Sequence, residues 1–142
     1  MKFLPLSNYK GKFATRVNHN NQLALEVESW TRLLRFLSDE NVLIKISFAD
    51  LLKNFVDNSH LSQLEQFNDS FISQDELIKL LRNEVEVVTR MLQRDDIYNR
   101  DQAALLEKKV ASLRKNIQVA EQQFVELRRR FDQFQHNNRL GM

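Results

Sequence analysis

The stretch SDENVLIKISF, residues 38–48, determines whether the first half of the chain is one helix or several shorter elements. Its first four residues are typical of a turn or a helix cap, and the alternation from Val42 to Phe48 is typical of a β-strand. A strand or a new helix would shift the helical phase of the apolar residues, but steps of four and three pass through the stretch unchanged. The sequence therefore predicts one helix over about residues 20–57, with Asn41 at a core position. Nine of the ten positions in this series are apolar: Leu23, Val27, Trp30, Leu34, Leu37, Asn41, Ile44, Phe48, Leu51 and Phe55.

Two further series predict two more helices, over about residues 60–95 and 100–136. Polar segments at 56–60 and 93–101 separate the three series and are predicted turns. Whether the second helix is broken near residues 68–73 stays open, because Ser73 and Glu76 could cap a new helix there. The second series is Leu64, Phe67, Phe71, Gln74, Ile78, Leu81, Val85, Val88 and Leu92. The third series is Ala103, Leu106, Val110, Leu113, Ile117, Ala120, Phe124, Leu127, Phe131 and Phe134.

Composition favours long helices in an all-α fold. The chain has two glycines and one proline, Gly11, Gly141 and Pro5, all near its ends. Three helices of similar length joined by short turns predict an antiparallel up-down-up three-helix bundle with left-handed coiled-coil packing. Residues 1–19 carry four basic residues and no acidic one, and we expect them to form an extended basic arm before a bundle that spans residues 20–142.

The polar residues in the core series are predicted to share one layer of the bundle. Antiparallel pairing places Asn41 near Gln74, and Gln74 opposite the small residue Ala120. Buried amides cost stability but set the register of the helices, because a slipped register would leave an amide without a partner in the core, at a cost of roughly 1–3 kcal/mol. The alternative is that both amides reach solvent at a loose seam.

Large apolar residues outside the core series predict an interface with another molecule. A helix that is apolar on all sides is normally buried on all sides, and a three-helix bundle covers one side of each helix. A contiguous apolar patch on the first and second helices would mark a contact, most simply a two-fold homodimer. The alternative is scattered apolar residues partly covered by the N-terminal arm. The expected interface residues are Phe36, Val42, Leu43, Ile46, Leu77, Leu80, Val87 and Met91.

The sequence favours a protein that is not an enzyme and has no cofactor, metal or small-molecule substrate. The chain has no cysteine, no glycine-rich phosphate loop and no His-Glu-x-x-His motif. The histidines, His19, His60 and His136, fall near predicted helix ends, where solvated side chains are expected. No apolar run approaches the length of a membrane span, and no signal peptide is predicted, so a cytoplasmic protein is expected.

The function predicted from these features is a non-enzymatic helical-bundle module for protein–protein interaction that associates with itself, with a protein partner, or with both. The alternative is a small nucleic-acid-associated protein that binds phosphates through basic residues of the arm and of the third helix. Against it, the chain has a net charge of only +2. The contacts expected in that alternative are Lys2, Lys10, Lys12, Arg16, Lys108, Lys109, Arg114 and Lys115.

Overall fold

A computed structural model shows three α-helices: α1 (Leu4–Lys53), α2 (Leu61–Gln93) and α3 (Arg100–Leu140). It describes the backbone of residues 4–54, 59–94 and 100–140, and the side chains of residues 21–54, 59–94 and 100–138. No β-strand occurs within these ranges, and the three helices pack against one another. The predicted all-α three-helix bundle is therefore confirmed, and SDENVLIKISF lies inside α1.

The structure differs from the prediction at the start of α1. The helix begins at Leu4, so residues 4–19 are helical where the sequence analysis expects an extended arm. Pro5 lies in the first turn, where the missing backbone N–H would have no helical acceptor, and an isolated Gly11 costs a helix only about 1 kcal/mol. Neither residue therefore ends the helix. Lys2 and the side chains of the other arm residues lie outside the described part of the chain.

The core is formed by the three predicted series and divides into two clusters. The first cluster packs around Leu34 and Leu113, and the second packs around Phe71 and Phe131. α2 runs from Leu61 to Gln93 without a break, which answers the question about residues 68–73.

The ends of the predicted series depart from full burial. Phe67 and Leu92 are partly buried, Ala103 is exposed and Phe55 lies outside the described residues. Leu106, one turn after Ala103, packs in the same cluster as Leu92, which is the last core residue of α2. Ala103 therefore lies past the end of the core of α2 and is exposed. Beyond that level α2 contributes no further core residue to cover α3.

Ion pairs identify which side of α1 faces each neighbour. Lys45 lies 2.5 Å from Asp75, so this side faces α2. Glu26 pairs with Arg114 and Glu40 with Arg128, so the other side faces α3. Both of these pairs join residues 88 positions apart, and the constant separation shows that α1 and α3 run parallel in one register.

Candidate interaction surface and polar core layer

The outward side of α1 carries a second row of residues, which we call the outer stripe. Like the core series, it steps by four and three, but it lies on the side of the helix opposite the core. Its apolar members are strongly exposed: Leu25 by 65%, Phe36 by 55%, Leu43 by 56% and Ile46 by 55%. Because the exposed apolar side chains recur at helical spacing, they form a row and not a scatter. The outer stripe consists of Leu25, Ser29, Arg32, Phe36, Asp39, Leu43, Ile46 and Asp50.

The structure separates the eight expected interface residues into two groups. Two of them, Leu77 and Met91, are partly buried and pack against the first core cluster of the same bundle. Their apolar area is therefore largely used within the chain. The other six are exposed: Phe36, Val42, Leu43, Ile46, Leu80 and Val87.

The exposed residues of α2 do not extend the outer stripe. Asp75 marks the side of α2 that faces α1, since it binds Asn41 and Lys45. Leu80, five residues later, lies about 140° around the helix from Asp75. Val87, one heptad beyond Leu80, lines a groove between α2 and α3 together with Lys109. The single patch expected on the first and second helices is thus two surfaces on different faces of the bundle.

The structure brings Asn41, Gln74 and Ala120 into the core at one level. Asn41 is 0% exposed, and its Nδ2 donates to the backbone oxygen of Phe71 at 3.2 Å and to Oδ1 of Asp75 at 2.5 Å. Gln74, 5% exposed, donates through Nε2 to the backbone oxygen of Ala120 at 3.3 Å. Each amide therefore has its own acceptor on a neighbouring helix, and the layer joins all three helices. That it sets their register stays a prediction.

The Asn41 side chain is only half satisfied. Its Oδ1 is buried and has no hydrogen-bond partner among the described residues. Its Nδ2 lies at one end of a chain of polar groups in which Asp75 also accepts from the Lys45 ammonium. Asp75 and Lys45 were not among the residues predicted from the sequence, although Asp75 follows Gln74 directly and Lys45 lies one helical turn after Asn41. A buried amide group without a hydrogen-bond partner lowers the stability of the fold, so we expect substitutions in this layer to change stability strongly.

The basic residues considered for nucleic-acid contacts lie on several surfaces. Lys108, Lys109 and Lys115 are exposed on α3, but Arg114 is held by Glu26. Lys10, Lys12 and Arg16 belong to the helical start of α1, and their side chains lie outside the described part. The side chains that can be placed therefore do not define one continuous basic surface.

A groove of about 450 Å³ between α1 and α2 carries three arginines that the sequence analysis did not single out. Arg35, Arg82 and Arg90 line it beside the carboxylate of Glu86, so the groove would attract anions. They were missed because Arg35 is far from the other two in the sequence. Two threonine hydroxyls also line the groove, but each donates to a backbone oxygen of its own helix. The groove shows no nucleophile with a neighbouring base.

The described residues contain neither a cluster of metal ligands nor a helix fit to span a membrane. No group of three or more His, Cys, Asp or Glu side chains there could hold a metal ion. None of the helices, as far as they are described, combines the length and apolarity that crossing a membrane requires.

Comparison of the chain with protein-family models, with curated proteins and with solved structures finds no match.

The ion pair between Glu26 and Arg114 predicts a pH dependence. Nε and Nη2 of Arg114 donate to the two carboxylate oxygens of Glu26 at 2.8 and 2.7 Å. These hydrogen bonds hold the pKa of Glu26 below its ordinary value of 4.5, against the opposing effect of burial. Because the folded chain then binds this proton more weakly than the unfolded chain, the pair stabilises the fold above pH 4.5. The contribution is lost as the pH falls through the lowered pKa.

Glu26→Gln should lower the free energy of unfolding at pH 7 by about 0.2–1 kcal/mol, because both side chains of the pair are partly exposed to solvent. At acidic pH the variant and the natural chain should differ by less, since Glu26 gains its proton in both states as the pH falls through the lowered pKa. Urea unfolding at the two pH values measures the change. Glu28→Gln is the control, since Glu28 is exposed and has no ion pair among the described residues. An equal loss at both pH values would contradict the assignment.

Proposed function

We propose that this chain is a non-enzymatic protein–protein interaction module that associates with itself through an exposed apolar face. The observation that carries the proposal is the outer stripe of α1, where Phe36, Leu43 and Ile46 are each more than half exposed. They lie within three helical turns on the side of α1 opposite the core, and Val42 extends the apolar surface beside them. Contiguous exposed apolar surface of this kind marks interfaces in folded proteins.

The exposed apolar face of α1 is better suited to form an interface than the exposed apolar face of α2. It combines Phe36, Leu43 and Ile46 on one row, whereas the α2 face offers Leu80 and the less exposed Val87. Two ion pairs, formed by Glu26 and Glu40, also join α1 to α3. They help to hold the helix that carries the outer stripe in place within the bundle. A rigid helix face loses little conformational entropy on binding, which favours association. We propose a homodimer, in the cytoplasm, as the working form.

A single charge on the outer stripe should separate the two copies. We expect the natural chain to be dimeric at micromolar concentration by light scattering or sedimentation, and Leu43→Glu to be a monomer of unchanged helicity. Leu43 is 56% exposed, so a glutamate there is solvated in the monomer but would be desolvated in the dimer.

The matched control is Leu80→Glu. Leu80 is 54% exposed but lies on the other apolar face, so this variant should remain dimeric. A natural chain that is already monomeric at micromolar concentration would contradict self-association. Dissociation by Leu80→Glu alone would instead move the interface to α2.

Nucleic-acid binding is the alternative function, and the same preparation tests it. Lys108, Lys109 and Lys115 are free to contact phosphates, whereas Arg114 is neutralised by Glu26. We expect no retardation of generic DNA or RNA in a gel at low salt. Retardation that weakens steeply with added salt would favour the alternative.

A further inference from the structure

The charges on the outer stripe specify how a second copy would pack. Arg32 lies toward its N-terminal end, Asp39 near its middle and Asp50 toward its C-terminal end. Arg32 has no ion-pair partner among the described residues, and Asp50 has only a long contact to Lys53, at 3.7 Å between largely solvated side chains. These charges are therefore available to another molecule.

Parallel packing of two outer stripes is disfavoured by these charges. In a parallel pair each residue lies beside its own copy, so Arg32 would face Arg32, and Asp39 and Asp50 would face their own copies. Like charges brought together across a contact cost free energy and reduce the association rate. The charge pattern thus favours an antiparallel pair.

One antiparallel register joins opposite charges and apolar residues at the same time. Placing Arg32 opposite Asp50 of the second copy also places Phe36 opposite Ile46 of the second copy. The two-fold axis repeats each contact, so the dimer gains two ion pairs and two apolar pairs. Asp39 then lies opposite Leu43, and Ser29 lies opposite Lys53, which follows Asp50 by three residues on the same side of α1.

The two neighbouring antiparallel registers, each displaced by one heptad, form less favourable contacts. A shift in one direction places Asp39 opposite Phe36 and Arg32 opposite Leu43, which sets charges against apolar side chains without forming an ion pair. A shift in the other direction pairs Leu43 with Ile46 but brings Asp39 against Asp50 of the second copy. The register centred on the level of residue 41 also sets Asp39 against Leu43, but of the three it is the one that pairs Arg32 with Asp50 and brings no like charges together.

We propose that two copies of this chain pair their α1 helices in an antiparallel arrangement, with Arg32 of each copy opposite Asp50 of the other. This inference rests on the proposed self-association and adds its orientation and register.

Cysteine cross-linking tests the orientation, because the natural chain contains no cysteine. In the double variant Ser29→Cys, Lys53→Cys we expect mild oxidation to give a covalent dimer, since residue 29 of one copy lies opposite residue 53 of the other. Within one chain the two cysteines are separated by about 36 Å of helix, too far for a disulfide. Neither single variant should cross-link efficiently. Efficient cross-linking of Ser29→Cys alone would indicate a parallel pair and overturn the proposal.

A charge swap tests the register. Asp50→Arg places two arginines together at each end of the contact and should raise the dimer dissociation constant by about tenfold at low salt. The double variant Arg32→Asp, Asp50→Arg restores opposite charges and should recover the natural affinity. A dimer that is intact in the natural chain but shows neither the loss nor the recovery would overturn this register and leave self-association standing. A monomeric natural chain would overturn both.

Discussion

Replacing Phe71 with alanine should lower the free energy of unfolding by about 3–5 kcal/mol. Phe71 is 1% exposed, and its ring makes edge contacts with Phe48 at 5.3 Å and with Phe131 at 5.4 Å between centroids. These neighbours come from α1 and α3, so one ring joins all three helices in the second core cluster. Truncation would leave a cavity that rigid helices cannot close, and the aromatic contacts would be lost with the buried area.

The matched control is Ile72→Ala on the same turn of α2. Ile72 is 48% exposed, so its truncation should change stability by about 0.5 kcal/mol or less. Guanidinium unfolding followed by circular dichroism, at one protein concentration for all variants, measures both. If Phe71→Ala costs no more than Ile72→Ala, the aromatic cluster is not a packed core.

Replacing Asn41 with aspartate should lower the free energy of unfolding by at least about 3 kcal/mol at pH 7. The new side chain has the same shape but no N–H donor, and its charge would face the Asp75 carboxylate and the Phe71 carbonyl that now accept from Nδ2. Burial and the neighbouring carboxylate both raise the pKa of the introduced group, so the folded chain would bind its proton more tightly than the unfolded chain. The loss of stability should therefore shrink as the pH falls toward about 4, where an unfolded aspartate titrates.

Two further variants define what the Asn41 layer contributes. Asn41→Leu keeps the branching of the side chain and removes the buried Oδ1, which has no hydrogen-bond partner among the described residues. It should therefore raise the free energy of unfolding by about 1–3 kcal/mol. Asn83→Asp is the control for adding a carboxylate, because Asn83 is exposed on α2 and the change there should be within about 0.5 kcal/mol. Tolerance of aspartate at position 41 at pH 7 would show that the side chain reaches solvent.

Stability and association should respond to different residues. Phe71 and Asn41 lie in the core, whereas Leu43 and Ile46 lie on the outer stripe of the same helical bundle. Variants of the first kind should change the unfolding midpoint even in a monomer, and variants of the second kind should change the dissociation constant while the monomer stays folded. The two sets of measurements therefore test the fold and the proposed function separately.

The core was largely predictable from the sequence because helix periodicity is a local property. Every core position from Leu23 to Leu51 in α1 is buried, and the polar position Asn41 lies among them as the unbroken phase predicted. The same counting placed Gln74 and Ala120 at the level of Asn41, since antiparallel helices joined by short turns have little freedom of register. Periodicity did not locate the start of α1, because Arg16 and Asn20 interrupt the apolar series, although Leu6, Tyr9 and Phe13 continue it in phase.

The spacing of apolar residues along the chain predicted the three helices, apart from the start of α1, and the side of each helix that enters the core. The tertiary packing of the three helices decides which residues surround each of them. It separated Leu80 and Val87 from the outer stripe of α1 and turned Leu77 and Met91 toward the core. It also brought Asp75 and Lys45 to the buried amide of Asn41. The direction in which a side chain leaves its helix follows from its position in the sequence. The neighbour that it meets depends on how the three helices are arranged around a common axis.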